Sequence, residues 1–380
     1  MKFCHISDLH LGKRLFERSF LEEDQPYILK QICEALREER PDAVLIAGDI
    51  YDKSAPSAEA VRLFDEFLSE LSADGQRVFV ISGNHDSAAR VAYGGRIMAK
   101  SGVHVSAPSY DGEVRPVTLA DEHGPVDIFL LPFVKPIHVS TVFPDETIEN
   151  YTDALRVAIA HLPLDENRRK VLVAHQFVTG ATRSDSEEVS VGGLDNVDAS
   201  VFESFSYVAL GHIHRSQNIG SPRIRYSGTP LKYSFSEVDD KKSITAVELD
   251  AKGEVDFRTI PLKPLHDLRE IKGTYDELMR RENYEGTATD DYLRVILTDE
   301  LDVSDAMRKL KTVYPNILRL DYDNARTKSG APIGDAPETE EKKPFELVGE
   351  FYSRQNNQPM NEAQSEYVKT LIARIWEEQA

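Results

Sequence analysis

The sequence predicts an α/β protein with a mixed main sheet, a second small α/β domain and a helical tail, on three observations. Short apolar runs alternate with amphipathic stretches of helical period from the first residues onward. After Gly228 two alternating strand patterns, Ser243 to Leu249 and Val255 to Ile260, follow one another with no helix between them. Beyond Pro264 a β-α-β-α-β pattern closes within a short span.

Taken in order, Phe3-Cys4-His5-Ile6 reads as the first strand. The segment from Glu23 to Glu39 has helical spacing in Ile28, Ile32, Ala35 and Leu36 and ends before Pro41. Val44 to Ala47 is the next strand. Ala58 to Leu71 is a helix with Val61, Phe64, Phe67, Leu68 and Leu71 assigned to one face and Gly75 as its stop. Val78 to Ile81 then leads into Gly83-Asn84-His85-Asp86. Such an opening implies parallel strands with right-handed crossovers, whose carboxyl ends gather along one edge, where function collects in α/β sheets. Further on, Val126 to Leu131 and Lys170 to Ala174 are strands, Ala154 to Leu162 a helix, and Val208-Ala209-Leu210 a strand that precedes His212-Ile213-His214.

Pro261 and Pro264 bracket a boundary. Leu268 to Ile271, Tyr275 to Arg281, Tyr292 to Leu297, Asp305 to Val313 and Ile317 to Leu320 form the small domain, with Thr274 and Glu277 as a capping box for its first helix. Gly, Pro and charge dominate from Ala325 to Lys343, the pattern of a linker. Phe345, Val348, Phe351 and Tyr352 then share one helical face, and Tyr367, Val368, Leu371, Ile372 and Ile375 another, with Trp376 beside them and Asn361 and Gln364 placed to cap the second helix. The expected division is 1–262, 263–324, 325–344 and 345–380.

Composition narrows the function. The chain has 380 residues, 41% of them hydrophobic, enough for a large core, and no apolar run approaches the ~20 residues of a membrane span. Its first residues read as a strand rather than a signal peptide, so a soluble, cytoplasmic protein is expected. With only Cys4 and Cys33 there is no disulfide framework, and reduced thiols are expected. The net charge of -20 argues against coating nucleic acid by bulk electrostatics, so any nucleic-acid contact must be local or shared with a partner.

The chemistry lies in five strand ends: Asp8-Leu9-His10, Ala47-Gly48-Asp49, Asn84-His85-Asp86, His175 and His212-Ile213-His214. Asp, Asn and His gathered in this way form a metal-site constellation, with Asp49 best placed to be shared by two ions. In an extended segment residues i and i+2 point the same way, so Asp8 with His10, and His212 with His214, are each expected to aim at one site. A lone D-x-H or H-x-H is weak; the ordered set is highly specific.

DLHLG, AGDIYD, SGNHD, AHQF and GHIHR resemble the motifs of the calcineurin-like metallophosphoesterases, over residues 1 to about 260. Within that family, YSGTPLKYSFSE from Tyr226, the small domain and the helical tail make the chain similar to bacterial nuclease subunits that process DNA with a coiled-coil ATPase. The resemblance implies a sheet sandwich flanked by helices, a small α/β capping domain, DNA as substrate in repair and recombination, and a homodimer within a heterotetramer. It also implies two Mn2+ ions, with Mg2+, Co2+ or Zn2+ left open in their place. Carried over residue by residue, Asp8, His10, Asp49 and His214 hold one ion, and Asp49, Asn84, His175 and His212 the other. His85 matches the family's catalytic histidine, which protonates or hydrogen-bonds the leaving oxygen, and Asp86 is placed as a carboxylate orienting a neighbouring imidazole. Archaeal and eukaryotic relatives have a second histidine where this chain has Asp52, which is expected to position His85 or substrate.

Taken singly, Asp8, Asp49, Asn84 and His175 have an ordinary reading as turn or cap residues, which their combination makes improbable. His5, His104, His123, His138, His161 and His266 sit in no motif and read as core or surface histidines. Lys13, Arg14, Arg18, Arg90, Arg183, Arg215 and Lys232 are DNA-contact candidates or solvated charges in equal measure. Three functions stay open: a metal-dependent DNA nuclease subunit, a small-molecule phosphoesterase, and a metal-holding scaffold. The small domain and tail favour the first over the second, and His85 beside a full ligand set favours catalysis over the third. No G-x-x-x-x-G-K-[ST] loop occurs, so ATP hydrolysis would have to come from a partner.

Overall fold

In a computed structural model, described for residues 1–187, 195–328, 344–356 and 358–377, residue contacts divide the chain into two units, Met1–Asp267 and Leu268–Ala380. The first unit is built on two six-stranded sheets. One runs from edge to edge as Val255–Pro261, Ser243–Leu249, Lys2–Ile6, Ala43–Ala47, Val78–Ile81 and Val103–Val105. Its last four strands are parallel, and Ser243–Leu249 pairs antiparallel with both of its neighbours. The other runs Gln217–Ile219, Ser221–Tyr226, Tyr207–Gly211, Arg169–His175, Gly124–Leu130 and Val117–Asp121. The fold is thus the mixed α/β sandwich with helical flanks that the sequence predicts.

Period-2 alternation explains the layering. Phe3, Leu45, Phe79, Val126, Ile128, Val171, Val173 and Ala209 meet in one core drawn from both sheets. On the other face of the second sheet, Phe129, Leu172, Ala174 and Leu210 pack with Ala154, Leu155, Ala158 and Ile159 of the helix Tyr151–Ala160. The helices Asp24–Glu39 and Ala58–Ala73 bury Ile28, Ile32 and Leu36, and Phe64, Phe67, Leu68 and Leu71. Val61 departs from expectation: it is 45% exposed and lies off the buried face. Cys4 and Cys33 are buried free thiols, and burial pushes both up to about 12.

The second unit holds a three-stranded parallel sheet, Leu268–Gly273, Tyr292–Leu297 and Ile317–Tyr322, with Leu293, Val295, Leu310, Tyr314 and Ile317 in its core. The capping box forms: the Thr274 N–H donates to Glu277 Oε2 at 2.8 Å, and the Glu277 N–H to the Thr274 hydroxyl at 3.3 Å. The helix it starts stops at Met279, because Arg280 is extended, and Arg281–Tyr284 resumes the turn. Ala325–Lys328 is helical, while residues 329–343 of the expected linker lie outside the described residues. Two tail helices follow, Pro344–Asn356 and Glu362–Glu377, and the second carries a reciprocal Asn361–Gln364 cap with both bonds at 2.9 Å. The side chains of Ile375 and Trp376 lie outside the described residues.

Candidate metal centre

Both sheets deliver residues to one place. Asp8 and His10 follow the strand Lys2–Ile6, Asp49 follows Ala43–Ala47 and Asn84 follows Val78–Ile81; His175 ends Arg169–His175, and His212 and His214 follow Tyr207–Gly211. These turns are not extended. Asp8, His10, Asp49 and His212 have φ of 55, 45, 48 and 100°, the left-handed region that costs a non-glycine residue free energy and persists where surrounding contacts enforce it. Glycines allow the close approach. A Cβ on Gly83 would lie 2.1 Å from Asp49 Oδ1, and one on Gly211 would lie 1.8 Å from the Ala47 carbonyl and 2.7 Å from His175 Nδ1.

Three clusters result among the described residues: His10, Asp52 and His85 form one at the partly exposed edge, and the other two are fully buried. Asp8, His10 and His214 bring ligand atoms within 4.8 Å of one another, with His10 Nε2 and His214 Nε2 at 3.1 Å. Asp8, Asp49 and His175 do the same, and both His175 Nε2 and His212 Nδ1 stand 2.9 Å from Asn84 Oδ1. Asp49 Oδ2 lies 3.3 Å from His175 Nε2 and 3.7 Å from His10 Nε2, between the two buried clusters, and Asp8 reaches both. His212 turns to Asn84 and His214 to His10, so the pair that i, i+2 spacing alone aims at one site divides between the two buried clusters. The positive φ of His212 breaks the extended geometry on which a shared direction depends.

The electrostatics suit divalent cations. Asp8, His10, Asp49, His175, His212 and His214 are all buried. Burial raises the Asp8 carboxyl above its usual range, and it lowers His10 and His212, the latter to about 3, in favour of neutral rings. Burial also opposes charge on Asp49 and His175, but their mutual attraction wins, holding Asp49 well below the carboxylate range and raising His175 to about 9. Two carboxyl groups and four imidazoles, with the rings of His10 and His212 held neutral, are thus packed together out of water, and His10 Nδ1 is buried without a hydrogen-bond partner. Such a set fits hard or borderline metal ions held by O and N donors.

Comparison with known proteins agrees. Residues 1–216 match the calcineurin-like phosphoesterase family, and residues 264–356 match the type 5 capsule protein repressor C-terminal domain. The chain belongs to the calcineurin-like phosphoesterase family. It is 33% identical to the SbcD subunit of nuclease SbcCD from Staphylococcus epidermidis over 382 residues, 99% of each chain. It is 38% identical to the protein of the same name from Staphylococcus saprophyticus over 324 residues, 84% of each chain.

In this phosphoesterase His85 is partly exposed at the edge of the clusters, its ring 4.8 Å from that of His10. Its Nδ1 lies 3.0 Å from the Asp52 carbonyl oxygen, so the Nδ1 proton is committed there and Nε2 is left to exchange a proton. Asp52 therefore acts on His85 through its backbone, while its carboxylate pairs with Lys13 at 2.8 Å. Asp86 corrects the sequence reading. Its carboxylate orients no imidazole; it accepts backbone N–H groups of Ile50 at 3.0 Å and of Tyr51 and Gly83 at 2.9 Å, tying the Asp49 turn to the Asn84 turn. Burial, then the nearby Asp49 charge, raises this carboxyl to about 6.

The basic candidates divide. Lys13, Arg18, Arg183, Arg215 and Lys232 are ion-paired with Asp52, Glu23, Asp195, Asp240 and Asp267. Arg14 and Arg90 are exposed and donate to the carbonyls of Glu17 and Ser54. An acidic chain neutralises its own cations, which the sequence reading underweighted. His5 is an ordinary core histidine, 2.9 Å from the Tyr207 hydroxyl.

Sequence reasoning missed the residues that brace the ligands. Gln25 donates to the His10 carbonyl at 2.8 Å and Tyr233 to the Leu9 carbonyl at 2.7 Å. Ser186, Glu187, Glu237 and Lys242 surround His214. No local signal singles them out: SFSEVDDKKS, which holds Glu237 and Lys242, is mostly polar and reads as a solvated turn, and only the packed chain shows that both are buried.

Proposed function

We propose that this chain is a two-metal DNA nuclease subunit that hydrolyses phosphodiester bonds at DNA ends or hairpins and works with the coiled-coil ATPase SbcC in DNA repair. The observation that carries this reading is the pair of buried O/N ligand clusters that share Asp8 and have Asp49 between them, with His85 beside them, in a chain similar over 99% of its length to the SbcD subunit of nuclease SbcCD. Asp8, His10, Asp49 and His214 would hold one Mn2+ and Asp49, Asn84, His175 and His212 the other. Bound there, the pair supplies an activated water nucleophile and neutralises charge that builds on the phosphate oxygens.

The protein's own groups do the rest. His85 Nε2 gives a proton to the leaving oxygen, while the Asp52 carbonyl fixes the ring through Nδ1. Asp49 anchors the His85 backbone. Exposed Arg14 and Arg90 are the best phosphate contacts, being free of carboxylate partners among their described bonds. The functional division follows 1–262 as nuclease domain, 263–324 as capping domain, 325–344 as linker and 345–380 as the SbcC-binding tail, in a cytoplasmic homodimer within a heterotetramer. No helix among the described residues is long and apolar enough to cross a membrane.

Cleavage of long duplex and hairpin DNA against p-nitrophenyl phosphate esters, with Mn2+ and with EDTA, tests the reading. DNA cleavage that needs Mn2+ supports it. Hydrolysis of the esters with DNA left intact would replace it with a small-molecule phosphoesterase.

A further inference from the structure

The ring of His214 is held by a polar network that, among the described residues, no other histidine of the centre has. Its Nδ1 lies 2.6 Å from the Ser186 hydroxyl, and that hydroxyl lies 2.5 Å from Glu237 Oε1. Glu237 is fully buried. Its other oxygen, Oε2, accepts from Lys242 Nζ at 2.6 Å and, more weakly, from the Tyr233 N–H at 3.5 Å. Lys242 also donates to the His214 carbonyl at 2.9 Å, and the His214 N–H donates to Glu187 Oε1 at 2.7 Å, so the main chain is clamped from both sides. His175, by contrast, has its Nδ1 2.8 Å from a backbone carbonyl, that of Ala47, and His10 Nδ1 has no hydrogen-bond partner among the described residues, the Asp52 carboxylate standing 3.9 Å away.

The direction of each bond follows from what the atoms carry. A carboxylate paired with a buried ammonium has no proton to give. Glu237 Oε1 takes the Ser186 hydrogen, across 2.5 Å against 3.2 Å from the Ser184 hydroxyl. Ser184 lies 2.7 Å from Ser186 and donates to it, and the Ser186 oxygen offers a lone pair to His214. The ring must then carry its proton on Nδ1. Its Nε2 is left bare, 3.1 Å from His10 Nε2, inside the cluster that includes Asp8.

We propose that Glu237, braced by Lys242, acts through the Ser186 hydroxyl to fix His214 in the Nδ1–H tautomer and so keeps Nε2 available as a metal ligand. The metal half of this rests on the two-metal reading above; the tautomer half does not. Ser186, Glu237 and Lys242 are positioning residues, a carboxylate–hydroxyl–histidine chain that sets ring orientation and makes the imidazole a better donor than a carbonyl partner would. The bracing arrives from two elements distant in sequence, the 184–187 turn and the 3-10 turn Phe235–Glu237.

The chain makes a directional forecast. In Glu237→Gln the amide oxygen must stay with Lys242 and the Tyr233 N–H, which both donate, so the amide NH2 faces Ser186. The hydroxyl then donates to Nδ1, and the ring proton moves to Nε2. Ser186→Ala only removes the bond, leaving a mixture of tautomers, and Ser186→Thr restores the hydroxyl.

The test uses the full chain labelled with 15N-histidine, without metal and at mildly alkaline pH. Long-range 1H–15N spectra report the tautomer of each ring, and the signal lost in His214→Gln assigns His214. Expected are Nδ1–H in the native chain and in Ser186→Thr, Nε2–H in Glu237→Gln and a mixture in Ser186→Ala. Calorimetric Mn2+ titration of the same proteins should show one of two binding steps weakened about 10–100-fold in Ser186→Ala and Glu237→Gln, the usual cost of losing such a partner. An Nε2–H ring in the native chain, or unchanged tautomers in both variants, overturns the proposal. Native protein that takes up no Mn2+ overturns the two-metal reading instead, while the spectra still decide the tautomer. Should Glu237→Gln not fold, Ser186→Ala with its threonine rescue decides the question in the same way.

Discussion

The His85 backbone N–H donates to Asp49 Oδ1 at 2.9 Å, while the His85 ring Nε2 stands 4.0 Å from Asp49 Oδ2. Asp49 thus fixes the main chain of a residue whose side chain stays outside both proposed ligand sets. His85→Ala is expected to keep two metal equivalents and lose about 10²–10⁴ in cleavage rate, the usual cost of removing a general acid. Elemental analysis beside nuclease assays checks this. Loss of a metal equivalent would make His85 a ligand.

Asp49 lies between the clusters, 3.3 Å from His175 and 3.7 Å from His10. Asp49→Ala should therefore lower Mn2+ occupancy at both sites, whereas His10→Ala weakens mainly one. Calorimetric titration distinguishes them, and equal one-site losses would remove Asp49 from the shared position.

Gly211 has no room for a side chain, since a Cβ would sit 1.8 Å from the Ala47 carbonyl. Gly211→Ala must move its own strand away from the Ala47 carbonyl and displace the His175 ring. A loss of about 1–3 kcal/mol is expected from overpacking, together with weakened metal binding. Urea unfolding measures the first, and a variant as stable as the native chain would contradict the close approach.

Arg169 grips Asp121 through two hydrogen bonds at 2.5 and 3.0 Å, which holds the Asp121 carboxyl below the usual carboxylate range. A depressed folded-state pKa gives stability that is present above the unfolded value, ~3.9, and is lost as pH falls below it. Asp121→Asn should thus be less stable than the native chain at neutral pH, with the gap closing in acid. Unfolding free energies across pH check the sign; a gap that widens in acid contradicts it.

Phe351 and Tyr367 of the tail helices are 66% and 69% exposed. Truncation after Lys343 should leave Mn2+-dependent cleavage of simple DNA substrates intact and abolish stable association with SbcC, as helix-in-groove docking requires. A pull-down paired with thermal unfolding tests this. Undiminished capture of SbcC by the truncated chain would sink the docking proposal.

Much of the fold was legible because apolar period reports local structure directly. The parallel opening from Phe3 to Ile81, the pairing of Ser243–Leu249 with Val255–Pro261 and both capping boxes follow from spacing alone. Val61 and the break at Arg280 did not, since a half-turn error in face or one extended residue leaves the pattern nearly unchanged.

At the centre the sequence alone points to Asp8, His10, Asp49, Asn84, His175, His212 and His214, because each stands at the end of a strand pattern, while the meeting of two separate sheets at one place belongs to the packed chain. What the sequence could not determine is how they meet. Left-handed backbone at Asp8, His10, Asp49 and His212 turns the side chains in directions that an extended i, i+2 rule cannot foresee, and it parts His212 from His214. The tertiary structure also decided who braces the ligands. Asp86 serves backbone amides, Asp52 meets the His85 ring through its carbonyl, and Glu237 reaches His214 through Ser186, 51 residues before Glu237. Each of these is a buried polar group paired with whatever the fold brings within about 3 Å, and that proximity is a property of the packed chain rather than of any stretch of it.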